Sequence, residues 1–212
     1  MSQKLSVPTG TLPGMDPTLN GLVDAVESGS VELAETLLRG AGVVRPPTVH
    51  MLHKHLMNPY VGSVWTRPFR RGADAAAAVS VLGLLPSVVH ATRLVVVWEH
   101  SDMSEALDRP GWRDGQYPLG LVVLDADLAE HVVRWHPFHL RTDVSAGSVG
   151  DGVSVWPQWG TAERYPGGTL PGAVSELLLV WREWLRRDIS ETRATIEAAG
   201  FGVQWTAEPT VH

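Results

Sequence analysis

The sequence predicts an α/β or α+β fold: a single domain in which a mixed sheet of five to six strands is covered by helices, with a small helical subdomain at the N-terminal side. Arg93 to Glu99 (RLVVVWE) and Leu119 to Leu124 (LGLVVL) are almost unbroken apolar runs, the pattern of interior strands. Asp74 to Leu85 is apolar nearly all round, as a helix buried against a sheet must be, and it lies between strand-like Tyr60 to Phe69 and Arg93 to Glu99. Strand, buried helix, strand is a β-α-β unit, for which a parallel right-handed crossover is the rule. Pro171 then opens the clearest helix of the chain, with Val174, Leu177, Leu178, Trp181 and Leu185 on one stripe.

Composition narrows the class of protein. The 212 residues suffice for one sizeable core, and 44% hydrophobic with 19% charged residues is the balance of a globular chain rather than a disordered one. A net charge of -6 argues against nucleic acid as a partner, because affinity for a phosphate backbone scales with the Lys and Arg contacts on offer. The absence of cysteine excludes disulfides and thiolate metal sites and fits a reducing compartment. With no apolar run of membrane-spanning length, and no apolar middle in Met1 to Gly14, the expectation is a cytoplasmic protein without a membrane partner.

Taken in order, residues 1–14 read as a flexible arm rich in Pro, Gly, Thr and Ser. Residues 15–58 read as the helical N-terminal subdomain. Asp16 caps and Pro17 opens a helix with Leu19, Leu22, Val23 and Val26 on one face; Ser28 to Ser30 breaks it, and Val31 to Arg39 forms the second arm of a hairpin ended by Gly40. Pro46 and Pro47 open a third helix with Val49, Leu52 and Leu56 as its stripe. On that helix His53 and His55 would diverge by about 200°, so with His50 they could not converge on one metal ion.

Residues 59–207 read as the α/β core with two C-terminal helices. Within it Arg109 to Pro118 is a loop dense in Pro, Gly and Asp and a candidate lid, Val144 to Asp151 is a turn, and Gly152 to Trp159 is an edge strand limited by Pro157. Asp188 and Glu191 have capping-box spacing for the last helix, and Val203 to Trp205 suits a short closing strand.

Chemistry concentrates at the strand ends. Asp125-Ala-Asp127 closes an apolar strand, where two carboxylates could hold Mg²⁺ or Mn²⁺ against a substrate phosphate; the same residues equally make the turn of a hairpin. The element resembles the DxD motif of sugar-nucleotide glycosyltransferases and the first motif of haloacid-dehalogenase-type phosphatases, and that resemblance implies a divalent cation and a phosphorylated substrate. Glu99 and Asp102 end the other interior strand. If the two strands are parallel, all four acids share one crevice with His100; if antiparallel, they lie apart. His136, beside Pro137, is a candidate acid or base. Arg67, Arg70 and Arg71 beside Trp65 form the most basic and aromatic patch, suited to phosphate, a carboxylate or a base. No nucleophile elbow, phosphate loop, dinucleotide turn or zinc helix is present.

Two functional readings follow. One is a non-catalytic interaction or adaptor protein, whose nine Trp and helical appendage meet a protein partner or a second copy in a homo-oligomer. The other is a metal-dependent enzyme acting through Asp125 and Asp127, with Glu99, Asp102 and the arginine patch in support.

Overall fold

The computed structural model describes residues 17–70, 72–103, 119–143 and 154–206. The arm over 1–14, the candidate lid, the turn after Val144 and Arg71 lie outside them. The class is mixed α and β, and the sheet is larger and differently wired than the sequence predicts. Among the described residues eight strands run in the order β6-β5-β4-β3-β1-β2-β8, with β7 beside β5, and every hydrogen-bonded pair is antiparallel.

Helix α1, Pro17–Ala41, is continuous, where a broken hairpin was expected. Ser30 Oγ donates to the Val26 carbonyl at 2.6 Å, so the hydroxyl that could have capped a new helix bonds back along the old one. Leu19, Val23, Ala34 and Leu38 stay buried on one stripe throughout. The helix ends as Gly42 (φ 67) donates to the Leu38 carbonyl, a left-handed C-terminal cap that glycine adopts without strain.

The third helix predicted after Pro46 is instead strand β1, Thr48–Leu52. Val49 and Leu52 suggested helical spacing because both faces of β1 are covered, so residues three apart are buried for opposite reasons. β1 pairs with β2 (Tyr60–Trp65) on one side and β3 (Arg93–Glu99) on the other. β2 and β3 are therefore parallel in direction, as the β-α-β pattern requires, yet the crossover through α2 (Ala73–Val81) and α3 (Leu84–Val88) spans the intervening β1. β4 (Leu119–Asp127), β5 (His131–Asp143), β6 (Ser154–Trp159) and the short, mostly exposed β7 (Glu163–Pro166) complete one wing. β8 (Gly202–Trp205) closes the other against β2.

The sheet separates two apolar clusters. On one side α1 packs over Val95, Val97, Leu121 and Val123. On the other, α2, α3, α4 (Gly172–Arg182) and α5 (Ile189–Ala198) pack over Leu94, Val96, Val122 and Leu124. Alternating residues of β3 and β4 thus face different helical layers, which is why both strands are apolar without interruption. Trp181 is fully buried and its Nε1 donates to the Ala91 carbonyl at 2.8 Å. Asp188 caps α5 by accepting from the Glu191 amide at 2.8 Å, as the spacing predicts. At the ends of α3 and α4, His90 (φ 51) and Trp184 (φ 49) both take the left-handed conformation, and their rings stack 5.3 Å apart.

α2 and α3 meet α4 at Gly83, where a Cβ would sit 2.3 Å from the Leu177 carbonyl oxygen. Backbone cannot yield as a side-chain tip can. Gly83→Ala is expected to lower the unfolding free energy by about 1–3 kcal/mol, read as a fall in urea midpoint at unchanged m-value.

Candidate functional site

The carboxylates singled out in the sequence do not meet. β3 and β4 are antiparallel, with Arg93 opposite Asp127 and Glu99 opposite Leu121, so the two acidic ends lie about 20 Å apart along the sheet. Glu99 accepts from Ser101 Oγ, and Asp102 sits in the 3₁₀ turn His100–Met103 that follows. Asp127 Oδ1 accepts the Ala129 and Glu130 amides at 2.8 and 2.7 Å, the arrangement of a turn residue in the β4–β5 hairpin. No group of three or more His, Cys, Asp or Glu among the described residues could hold a metal ion.

Asp125 has a different part. It is 1% exposed, and Arg93 grips it with Nε at 2.7 Å from Oδ1 and Nη2 at 2.8 Å from Oδ2. Arg134 Nη2 reaches the same carboxylate at 3.2 Å. Two guanidiniums occupy both of its oxygens and repel a cation, so a divalent ion has no place there. The network continues to α1: Arg93 Nη1 donates to Asn20, Arg134 Nη1 to Asp24 and to Glu27, and Glu27 Oε1 lies 2.9 Å from His136 Nε2. Burial opposes ionisation of Glu27, but the hydrogen bond to His136 and the charge of Arg134 outweigh it and lower its pKa to about 2. His136, the candidate acid or base, thus stands in a structural ion network that clamps the first half of α1 to β3, β4 and β5.

The arginine patch is likewise partly spent. Arg67 and the Arg70 amide both donate to Asp74, tying the end of β2 to α2. Trp65 carries a different cation: Arg45 lies with its guanidinium 4.9 Å from the ring centroid.

Arg45 marks the lip of an open cleft. Beyond the ion network a cavity of about 200 Å³ remains between the middle of α1 and the strands β1 and β2. Val26, Leu33 and Ala34 line its helix side; Val97 and Leu121 form the floor; Thr48, His50 and Tyr60 close the far wall. His50 Nδ1 and Tyr60 Oη are 2.9 Å apart. Burial, with the nearby charge of Arg45, lowers the His50 pKa to about 4, and burial raises that of Tyr60. At neutral pH the pair is therefore an uncharged imidazole and phenol.

No protein-family model, no curated protein and no solved structure matches this chain. Among the described residues no helix is long and apolar enough to cross a membrane. Of the described Trp residues, Trp98, Trp135 and Trp181 are buried in the core, while Trp184 is the one exposed.

The sequence misplaced His50 on a helix and gave Arg45 and Tyr60 no role. Their signal was the alternation of Thr48, His50 and Leu52 with Val49 and Met51, legible once β1 is known to be a strand. A pH dependence follows from His50. The unfolded chain protonates this residue near its ordinary value of 6.5 and the folded one only near 4, so stability is full above 6.5 and falls as pH drops to about 4. The loss is expected to reach up to about 3 kcal/mol, and a His50→Gln variant should show a flatter urea midpoint over that window. A second loss, from Glu27, belongs between 4.5 and about 2.

Proposed function

We propose that this chain is a non-catalytic interaction protein whose cleft beneath α1 receives an apolar side chain from a protein partner. The size and lining of the cleft carry this reading. About 200 Å³ is below the roughly 300–1,000 Å³ of ordinary small-molecule sites, yet it accommodates one or two aliphatic side chains. Its walls are mainly apolar, and Leu33 at the rim and Val43 in the adjoining connection are exposed. An apolar anchor seated in a small pocket with a polar rim is the arrangement that concentrates binding energy at protein interfaces. The metal-enzyme reading draws no such support, because Asp125 is neutralised by two arginines, Asp127 accepts the amides of its own turn, and Glu99 and Asp102 lie at the other end of β3.

Gly29 supplies the test. It lies at the rim on α1, and a Cβ there meets nothing within 4 Å. Gly29→Leu should stabilise the fold by up to about 1 kcal/mol through helix propensity while narrowing the cleft. Titrating the isotope-labelled chain with a capped leucine peptide is expected to move the amide resonances of Ser30, His50 and Tyr60 in the parent and to leave them still in Gly29→Leu. Unmoved cleft resonances in the parent at millimolar peptide would overturn the reading.

A further inference from the structure

We infer that the segment taken up by the cleft carries an acidic residue next to its aliphatic side chain, so that the partner is an acidic protein segment rather than a neutral or basic one. The inference rests on the binding role proposed above and adds the charge of the partner. The full chain carries a net charge of -6, yet among the described residues the only charged one lining the cleft is Arg45, and no carboxylate lines it. Four other arginines, by contrast, already have acids: Arg93 has Asp125, Arg134 has Asp24 and Glu27, Arg67 has Asp74, and Arg39 has Glu35. Among the described residues no carboxylate pairs with Arg45. It is half-buried, and the face of Trp65 holds it at the lip.

A guanidinium held over an aromatic ring loses little freedom when it pairs, and its in-plane donors match both oxygens of a carboxylate. Its charge already acts inside the cleft, where it helps to keep the His50 imidazole unprotonated. A partner lysine would meet the same field as repulsion. A neutral partner would cover the guanidinium without compensating it. An aliphatic side chain in the cavity with an Asp or Glu beside it satisfies both halves of the site at once.

The test uses the full chain and two capped tetrapeptides, acetyl-Ser-Leu-Glu-Ser-amide and acetyl-Ser-Leu-Lys-Ser-amide, followed by the Ser30, His50 and Tyr60 amide resonances. The Glu peptide is expected to bind about tenfold more tightly than the Lys peptide at low salt, with the gap closing as salt is added. Arg45→Gln should abolish the difference, and Arg45→Glu should reverse it, each with an unfolding midpoint near that of the parent. Equal binding of both peptides by the parent, still blocked by Gly29→Leu, would overturn the charge preference and leave the cleft as an apolar binding site. Failure of both peptides to move the cleft resonances would remove the binding reading as well. Cleft resonances that shift with protein concentration alone, together with a doubled mass by light scattering, would make a second copy the occupant and overturn the acidic partner.

Discussion

Asp125→Ala is expected to destabilise the protein by about 3–5 kcal/mol, far more than a typical substitution. The Asp125 side chain is 1% exposed and those of its partners Arg93 and Arg134 only 3% and 7%. Removing the carboxylate takes from Arg93 the anion it grips with two donors and from Arg134 one of its three acids, inside a region almost closed to water. Leaving buried charge under-compensated is the costly event, rather than losing an attraction. The paired replacement Arg93→Met with Asp125→Leu should therefore cost less than Asp125→Ala alone, since it removes the guanidinium together with the carboxylate it grips. Urea unfolding of the three proteins at neutral pH makes the comparison. A loss below about 1 kcal/mol in Asp125→Ala would show that the network is hydrated and the clamp on α1 weak.

Trp181→Ala should cost a similar amount, about 3–5 kcal/mol, for an apolar reason. Trp181 is fully buried where α4 meets the sheet-facing core, and the truncation leaves a cavity the size of an indole. It also takes the Nε1 donor from the Ala91 carbonyl. Trp181→Phe separates the two effects: it keeps most of the volume, so its smaller loss of about 1–3 kcal/mol reports chiefly the orphaned carbonyl. Thermal and urea unfolding that agree on the order parent, Phe, Ala would support this division. A Phe variant as unstable as the Ala variant would place the whole effect on the hydrogen bond.

How much of this was legible in the sequence depended on whether one face or two were covered. α4 and α5 declared themselves, because a stripe on one side and a cap at Asp188 are local signals. β3 and β4 were legible as interior strands for the opposite reason, the lack of any polar alternation. That same uniformity hid β1, whose five residues read as helix, and it hid strand direction, since a strand buried on both faces carries no mark of its neighbour. Only the three-residue link from Asp127 to His131 implied antiparallel pairing, and it implied it for β4 with β5 rather than β3 with β4.

The candidate sites divided in the same way. Asp125 stood out as a carboxylate at the end of a greasy run, but its partner Arg93 lies 32 residues away and became its neighbour only through strand register. Arg45 reaches Trp65, and His50 reaches Tyr60, by the pairing of β1 with β2. Neither proximity has a sequence spacing to betray it.

The pairing of β8 with β2 also governs how the molecule can be made. Gly62 to Trp65 leave the ribosome about 140 residues before Gly202 to Trp205, the segment that shields their outer rim. During that interval a nascent chain presents an open backbone edge to its surroundings, a template for mispairing with other polypeptides. Emergence of Gly202 to Trp205, and not the earlier collapse around the inner strands, is therefore the moment at which this rim becomes safe, and truncations that stop short of Gly202 should be recovered in inclusion bodies rather than in the supernatant.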